Sequence, residues 1–351
     1  MLSKEGICDF LKEAQINAAF IQKDENCRYI SGFTGSDSCL LITPEKNYLL
    51  TDSRYIEQAK KEAQGFEIID CAGNIPGAVS RLCLQHHAAV LGVETILRYE
   101  TYLGLHELMP EVKITFCDTD SLRRIKSEEE IAWIAEACRI SDEGFRRMLP
   151  FLQSGKTEAE MRTILECAML EAGSEGKSFD TIVASGVRGA YPHGTASDKI
   201  IQDGELVTFD FGAIYKGYHS DITRTVAVGT VSDRQRYMFD SVLECVLFLE
   251  RTVKAGEKAC DMDKKARDFL RGKDLDMYFT HALGHSVGLE IHEKPVLAPR
   301  DQSVLARGMI ETIEPGVYIP DIGGVRIEDT VSIEEEGISV LTKFPKHFVQ
   351  I

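Results

Sequence analysis

The chain has 351 residues, 44% of them apolar, enough to bury two ordinary cores without staples. A formal net charge of −16 argues against a nucleic-acid or anionic-membrane surface, which requires clustered Lys and Arg. Ten cysteines occur without a C-x-x-C pair, which predicts unpaired, mostly buried thiols in a reducing compartment and no zinc knuckle.

Lys4, Glu5 and Asp9 interrupt any signal-peptide core, and no apolar run approaches the ~20 residues needed to span a bilayer. A soluble, cytoplasmic protein is expected. Cys39-Leu-Leu-Ile-Thr43 and Asn47-Tyr-Leu-Leu-Thr51, separated by Pro44-Glu45-Lys46, predict a hairpin. Tyr55 to Ala63 reads as helix and Ala88-Ala-Val-Leu-Gly-Val93 as a buried strand. His86-His87 falls in a short linker, where solvation is the expectation. This part is mixed α/β.

Ser127 with Glu130, Thr157 with Glu160 and Ser232 with Gln235 are three capping boxes, each opening a helix with apolar residues at helical spacing. The second helix is expected to end near Gly173. Between and after them come strand-like runs: Leu206–Phe211, Thr223–Val228, Met309–Ile313 and Val325–Ile327. A boundary between 118 and 126 divides the chain into domains 1–122 and 123–351. No repeat of 20–50 residues is present, which excludes solenoids.

Asp210 and Asp221 sit on two strand-like runs joined by Gly212-Ala-Ile-Tyr-Lys-Gly217. With Tyr215-Lys216 as the turn, residue 221 faces 210 directly; with Lys216-Gly217, it is the diagonal neighbour. Both registers place the two side chains on one face, because pairing preserves parity. Two carboxylates that close repel unless a cation lies between them. An isolated pair of this kind is more simply a solvated strand face. Three further segments change that: Gly284-His-Ser-Val-Gly-Leu-Glu-Ile-His-Glu293, Thr312-Ile-Glu-Pro-Gly-Val-Tyr318 and Gly323-Gly-Val-Arg-Ile-Glu-Asp329.

These segments resemble the metallopeptidases of the pita-bread fold, which include methionine aminopeptidase, aminopeptidase P, prolidase and creatinase. Val207-Thr-Phe-Asp-Phe-Gly212, Gly217-Tyr-His-Ser-Asp-Ile-Thr-Arg-Thr225 and Pro192-His-Gly194 match as well, and Tyr29-Ile-Ser-Gly-Phe33 with Leu49-Leu-Thr-Asp-Ser-Arg-Tyr55 extends the likeness to a creatinase-type N-terminal domain. The resemblance implies an α+β fold, with a pita-bread catalytic domain after an α/β N-terminal domain. It implies that Asp210 binds one divalent metal, that His285 and Glu314 bind another, and that Asp221 and Glu328 bridge both. Two cations about 3.5–4 Å apart can activate a shared water and clamp the tetrahedral oxyanion. One imidazole among hard oxygens suits Mn²⁺, with Co²⁺ or Zn²⁺ as alternatives.

By the same resemblance Glu314 shuttles the proton, and His193 and His292 orient substrate and steady the oxyanion. His281 and Arg326 correspond to residues of the proline-specific members. The plainer alternatives are a hydrogen-bonded core histidine and an ion-pair partner for the ligand carboxylates. Hydrolysis of Xaa-Pro bonds at the N-terminus of proline-containing peptides is the implied reaction, as an Xaa-Pro aminopeptidase or as a prolidase acting on dipeptides, in a homodimer. Ser286 departs from the glycine usual after the ligand histidine, which predicts a hydroxymethyl group beside the metal or peptide. It also creates a G-x-S-x-G pattern, so a serine hydrolase using Ser286 is a rival. That motif needs a following helix, and Leu289-Glu-Ile-His-Glu-Lys-Pro295 is a poor one. A catalytically inactive binding member is the other rival. Relatives of that kind lose ligands, whereas this chain keeps the full set.

Overall fold

Apolar runs without alternation, such as Ala18-Ala-Phe-Ile21 and Cys39-Leu-Leu-Ile42, need cover on both faces, so each must lie inside a sheet sandwiched by helices. The computed structural model, which describes residues 4–351, shows this arrangement in the first of two units, divided between Arg123 and Arg124. Strands β1 (Ala18–Ile21), β2 (Cys39–Ile42), β3 (Asn47–Thr51), β4 (Phe66–Asp70), β5 (Val90–Val93) and β6 (Lys113–Phe116) form one sheet in the order β4-β3-β2-β1-β5-β6. Only β2 runs antiparallel to its neighbours. Helices α1 (Lys4–Glu13), α2 (Asp24–Ser31), α3 (Ile56–Glu62), α4 (Ile75–Gln85) and α5 (Tyr99–Leu108) alternate with the strands. Ala18 and Phe20 enter one core and Ala19 and Ile21 the other, as the period of two requires.

The expected hairpin is present, with Ile42 opposite Asn47. The histidine expectation is half wrong. His86 is sheltered: its ring packs on Tyr48 at 5.6 Å, its Nε2 lies 2.7 Å from Tyr48 Oη and its Nδ1 lies 2.9 Å from Glu45 Oε2. The β2–β3 hairpin folds over the end of α4, a contact invisible in a local window.

The second unit carries α6 (Glu128–Met148), α7 (Glu158–Glu171), α8 (Asp233–Glu250) and α9 (Ala259–Arg271). The three capping boxes form as expected on α6, α7 and α8, and positive φ at Gly173 closes the run after α7. Its strands are β7 (Ile182–Ser185), β8 (Glu205–Phe211), β9 (Ile214–Tyr215), β10 (Tyr218–His219), β11 (Ile222–Val228), β12 (Gly284–Ser286), β13 (Glu293–Leu297), β14 (Ile310–Ile313), β15 (Gly316–Ile319), β16 (Gly323–Arg326), β17 (Asp329–Glu334) and β18 (Gly337–Val340). They form a β11-β8-β7 sheet, a β13-β12-β14-β17-β18 sheet and the ribbons β9/β10 and β15/β16. All ten cysteines are free and six are buried. No helix among the described residues is long and apolar enough to cross a membrane.

One buried network ties these sheets together. Arg224 on β11 donates to Asp329 Oδ1 at 2.8 Å and to Phe344 O at 2.6 Å, and it also reaches Glu328 O. Lys346 pairs with Asp329 from the other side. Removing one partner of a buried pair leaves a charge uncompensated, so Arg224→Met is expected to cost about 3 kcal/mol, read from the urea midpoint. An unchanged midpoint would show that Lys346 alone satisfies Asp329.

Candidate active site

Between β9 and β10 the chain turns on two residues, Lys216 and Gly217, both with positive φ (48° and 72°). That is the conformation a two-residue hairpin demands, because its twist matches the strands it joins. The turn fixes the register: Thr223 lies opposite Asp210, so Asp221 is the diagonal neighbour of Asp210 on the same face. Of the two registers open in the sequence, the structure adopts the Lys216-Gly217 one. Gly212 is obligatory here, since a Cβ would lie 1.9 Å from Ser220 O.

Three other strand ends bring the remaining groups. Glu328 stands between β16 and β17, with its amide on Thr223 O at 3.1 Å and its Oε2 accepting from Thr223 Oγ1 at 2.6 Å. Glu314 follows β14, and Thr312 Oγ1 donates to its Oε1 at 3.3 Å. His285 on β12 is held through its amide by Thr312 Oγ1 at 3.0 Å. Thr312 therefore braces two site groups, and Thr223 holds Glu328 at two points and also accepts from Arg326 Nε at 3.1 Å. Nothing local in the sequence marked either threonine.

One oxygen each from Asp210, Asp221 and Glu328 lies within 4.8 Å of the others. Asp210 Oδ1, Asp221 Oδ1 and Glu328 Oε1 are buried without a hydrogen-bond partner. A second group adjoins the first. His285 Nδ1 lies 3.2 Å from Ser286 O, a carbonyl that can only accept, so Nδ1 carries the proton and Nε2 presents a lone pair. That lone pair faces Asp221 Oδ2 at 3.5 Å and Glu314 Oε1 at 3.6 Å. Three acceptors facing one another repel. Two donor atoms each about 2.1 Å from a shared ion at a tetrahedral angle would sit about 3.4 Å apart. The residues present therefore fit divalent cations, with Asp221 common to both groups.

Electrostatics say the same. Burial, then the neighbouring carboxylates, pushes Asp221 and Glu328 well above the usual carboxylate range. Burial, then Asp210, raises Glu314 to about 8, against an opposing pull from Arg326. Burial, then His292, lowers His285 to about 4. Without a cation, each of these four groups is driven toward its neutral form.

All the site residues expected from the sequence, His193, Asp210, Asp221, His281, His285, His292, Glu314, Arg326 and Glu328, line one cavity of about 560 Å³. Phe179, Ile182, Ile291 and Val296 complete its walls. These apolar residues come from two separate stretches, around β7 and around β13, and carry no local signal. His292 packs edge-on against His285 at 4.4 Å, and His193 is exposed. His281 and Arg326 belong to one hydrogen-bonded chain through Tyr318. His281 Nδ1 donates to Ala282 O at 2.7 Å, leaving Nε2 to accept from Tyr318 Oη at 2.8 Å, and Tyr318 accepts from Arg326 at 2.7 Å. Burial, then Arg326, lowers His281 to about 4. Arg326 also donates to Asp210 Oδ2 at 2.6 Å, Thr223 Oγ1 at 3.1 Å and Pro192 O at 3.2 Å. The plainer alternatives for both residues are thus geometrically realised, although both still face the cavity. Tyr318 was not anticipated. Its place after Glu314-Pro-Gly was the available clue.

Ser286 requires a correction. It does not stand beside the carboxylates: it is fully buried on the opposite face of β12, and its Oγ donates to Ile310 O at 2.7 Å. Alternation along a strand turns residue 286 away from the side that residue 285 faces. It neither narrows the cavity nor serves as a nucleophile, and no helix follows it.

Residues 132–335 match the family model "Metallopeptidase family M24" and residues 5–125 match "Creatinase/Prolidase N-terminal domain". An Xaa-Pro dipeptidase of Pyrococcus horikoshii is 39% identical over 98% of this chain and 97% of its own. The structure of an Xaa-Pro dipeptidase from Bacillus anthracis superposes with a TM-score of 0.96 at 41% identity, covering 99% of both chains. That of an X-Pro aminopeptidase from Thermotoga maritima gives 0.92 at 34% identity, covering 100% of both. With a carboxylate cluster built to take cations and both domains matched in order, the chain belongs to metallopeptidase family M24, carrying a creatinase/prolidase N-terminal domain ahead of its pita-bread peptidase domain.

Proposed function

We propose that the chain is an Xaa-Pro aminopeptidase whose two divalent ions, Mn²⁺ by preference, are held by Asp210, Asp221, His285, Glu314 and Glu328. The observation that carries this reading is the set of buried, partnerless carboxylate oxygens converging with the His285 lone pair. Bound there, the ions would polarise the scissile carbonyl and acidify the attacking water. Glu314 accepts the proton of that water and returns it to the proline nitrogen as the C–N bond breaks. His193 and His292 orient the peptide and donate toward the developing oxyanion. Carboxylates such as Asp210 suit the substrate's ammonium. Phe179, Ile182, Ile291 and Val296 offer apolar walls to a proline ring, whose fixed φ and missing N–H favour a shape-selected site.

A dipeptide would end in a carboxylate immediately after the proline and call for a fixed cation. Among the described residues lining the cavity, Arg326 is the one Lys or Arg, and four of its five N–H groups are already engaged. Peptides that continue past proline avoid this demand. The dipeptidase reading is favoured instead by the names of the Pyrococcus and Bacillus relatives. Rates on an Xaa-Pro dipeptide against an Xaa-Pro-Yaa tripeptide separate the two. The tripeptide is expected to be preferred about tenfold or more in kcat/KM; equal or reversed rates would sink the aminopeptidase reading. Activity that survives chelation, or fewer than two bound equivalents by metal analysis, would sink the dinuclear one.

A further inference from the structure

Lys126 lies outside the cavity lining, yet its side chain is only 1% exposed. An ammonium has three N–H groups, and this one has three acceptors: Glu293 Oε2 at 3.0 Å, Ser286 Oγ at 3.2 Å and Arg124 O at 3.4 Å. Two of them occupy telling positions. Ser286 follows His285 in sequence, and Glu293 follows His292. Ser286 and Glu293 also pair with each other across β12 and β13.

The ladder shifts register at this point, since His285 pairs with Val296 while Ser286 pairs with Glu293. An irregularity of this kind re-aims the side chains beside it and disrupts the local pairing, so something else must hold the backbone. Glu293 closes the connecting turn: its Oε1 accepts from Glu290 N at 3.2 Å, and a Cβ on Gly288 would meet its carboxylate at 2.6 Å. Ser286 relays the grip to β14, the strand that leads into Glu314, through its bond to Ile310 O. Glu311, opposite Ser286 on β14, is fully buried with neither oxygen partnered. Burial pushes its carboxyl up, against opposing pulls from Lys126 and Ser286, while the carboxylate that contacts the Lys126 ammonium is Glu293, at 3.0 Å.

We propose that Lys126 is a positioning residue: through Ser286 and Glu293 its ammonium fixes the backbone that sets the His285 and His292 rings against the cavity. The part of this inference that concerns metal rests on the reading of His285 as a ligand. Selective ¹⁵N-histidine labelling of metal-free protein tests the positioning itself. K126M and S286A are expected to move the ring resonances of His285 and His292 and to leave that of His281 in place, with K126R restoring them in part. Mn²⁺ affinity by calorimetry is expected to fall about tenfold or more in K126M, the usual cost of losing an outer support of a ligand. S286A introduces no buried charge and remains informative should K126M fail to fold. Wild-type ring resonances in folded K126M or S286A would overturn the proposal. Unchanged Mn²⁺ affinity in H285A would overturn the ligand reading instead, while the metal-free resonances still judge the positioning role of Lys126.

Discussion

Glu314→Gln is expected to lower kcat about 10³-fold in protein reconstituted with excess Mn²⁺, within the range of a lost general acid–base group. Glutamine keeps the volume and one neutral oxygen, but it cannot take a proton from water and pass it to the leaving nitrogen. The side chain also faces His285 Nε2 at 3.6 Å, so weaker metal binding accompanies the loss. Bound metal must therefore be measured on the same sample. A variant carrying two equivalents of Mn²⁺ with near wild-type kcat would remove Glu314 from the chemistry. One that is inactive only because it is metal-free would leave it a ligand and nothing more.

The second large effect concerns stability without metal. Glu314 stands at about 8 in the fold against an ordinary value of 4.5, and burial pushes Asp221 and Glu328 in the same direction. An acid raised on folding keeps its proton in the native state after the unfolded chain has released it. Its contribution is therefore present at low pH and is lost as pH climbs through the folded value. His281 and His285, lowered from 6.5 to about 4, act oppositely, but their opposing effect is half spent at pH 6.5 and nearly complete about one unit higher, so the acids outweigh it. Between pH 6.5 and 8 the acids decide. Glu314 alone is expected to withdraw up to about 2 kcal/mol across that window, at about 1.4 kcal/mol per pH unit and proton. Urea denaturation of chelated protein should show a falling midpoint there, and saturating Mn²⁺ should abolish the fall by stabilising the ionised carboxylates. In E314Q the metal-free decline should be smaller. A metal-free midpoint that is flat or rising from pH 6.5 to 8 would contradict the crowding of these carboxylates.

The two experiments address one physical situation. Asp221, His285 and Glu314 are packed so closely that, uncharged, they are merely buried, and, ionised, they demand a cation. Ser286 was the residue on which sequence reasoning went astray, for a related reason. Adjacency to His285 in the chain suggests adjacency to the site, whereas the strand sends the two side chains to opposite faces. With only three residues in β12, the strand itself gave no periodicity from which to recognise that.

What the amino-acid sequence determined by itself is local and chemical. The capping boxes at Ser127, Thr157 and Ser232 specify helix starts, because each box satisfies orphan amides within one turn. The spacing of Asp210 and Asp221 specifies a shared face in either register, because the two two-residue turns differ by a shift of two, which leaves every side chain on its own face. Only the tertiary structure decided which register closed, that Arg326 is spent on Asp210 and Tyr318, that His281 has both nitrogens occupied, and that Lys126 grips Ser286 and Glu293. Those are pairings between residues far apart in the chain. Which partners meet there depends on how the sheets and helices pack, and no periodicity within a segment encodes it.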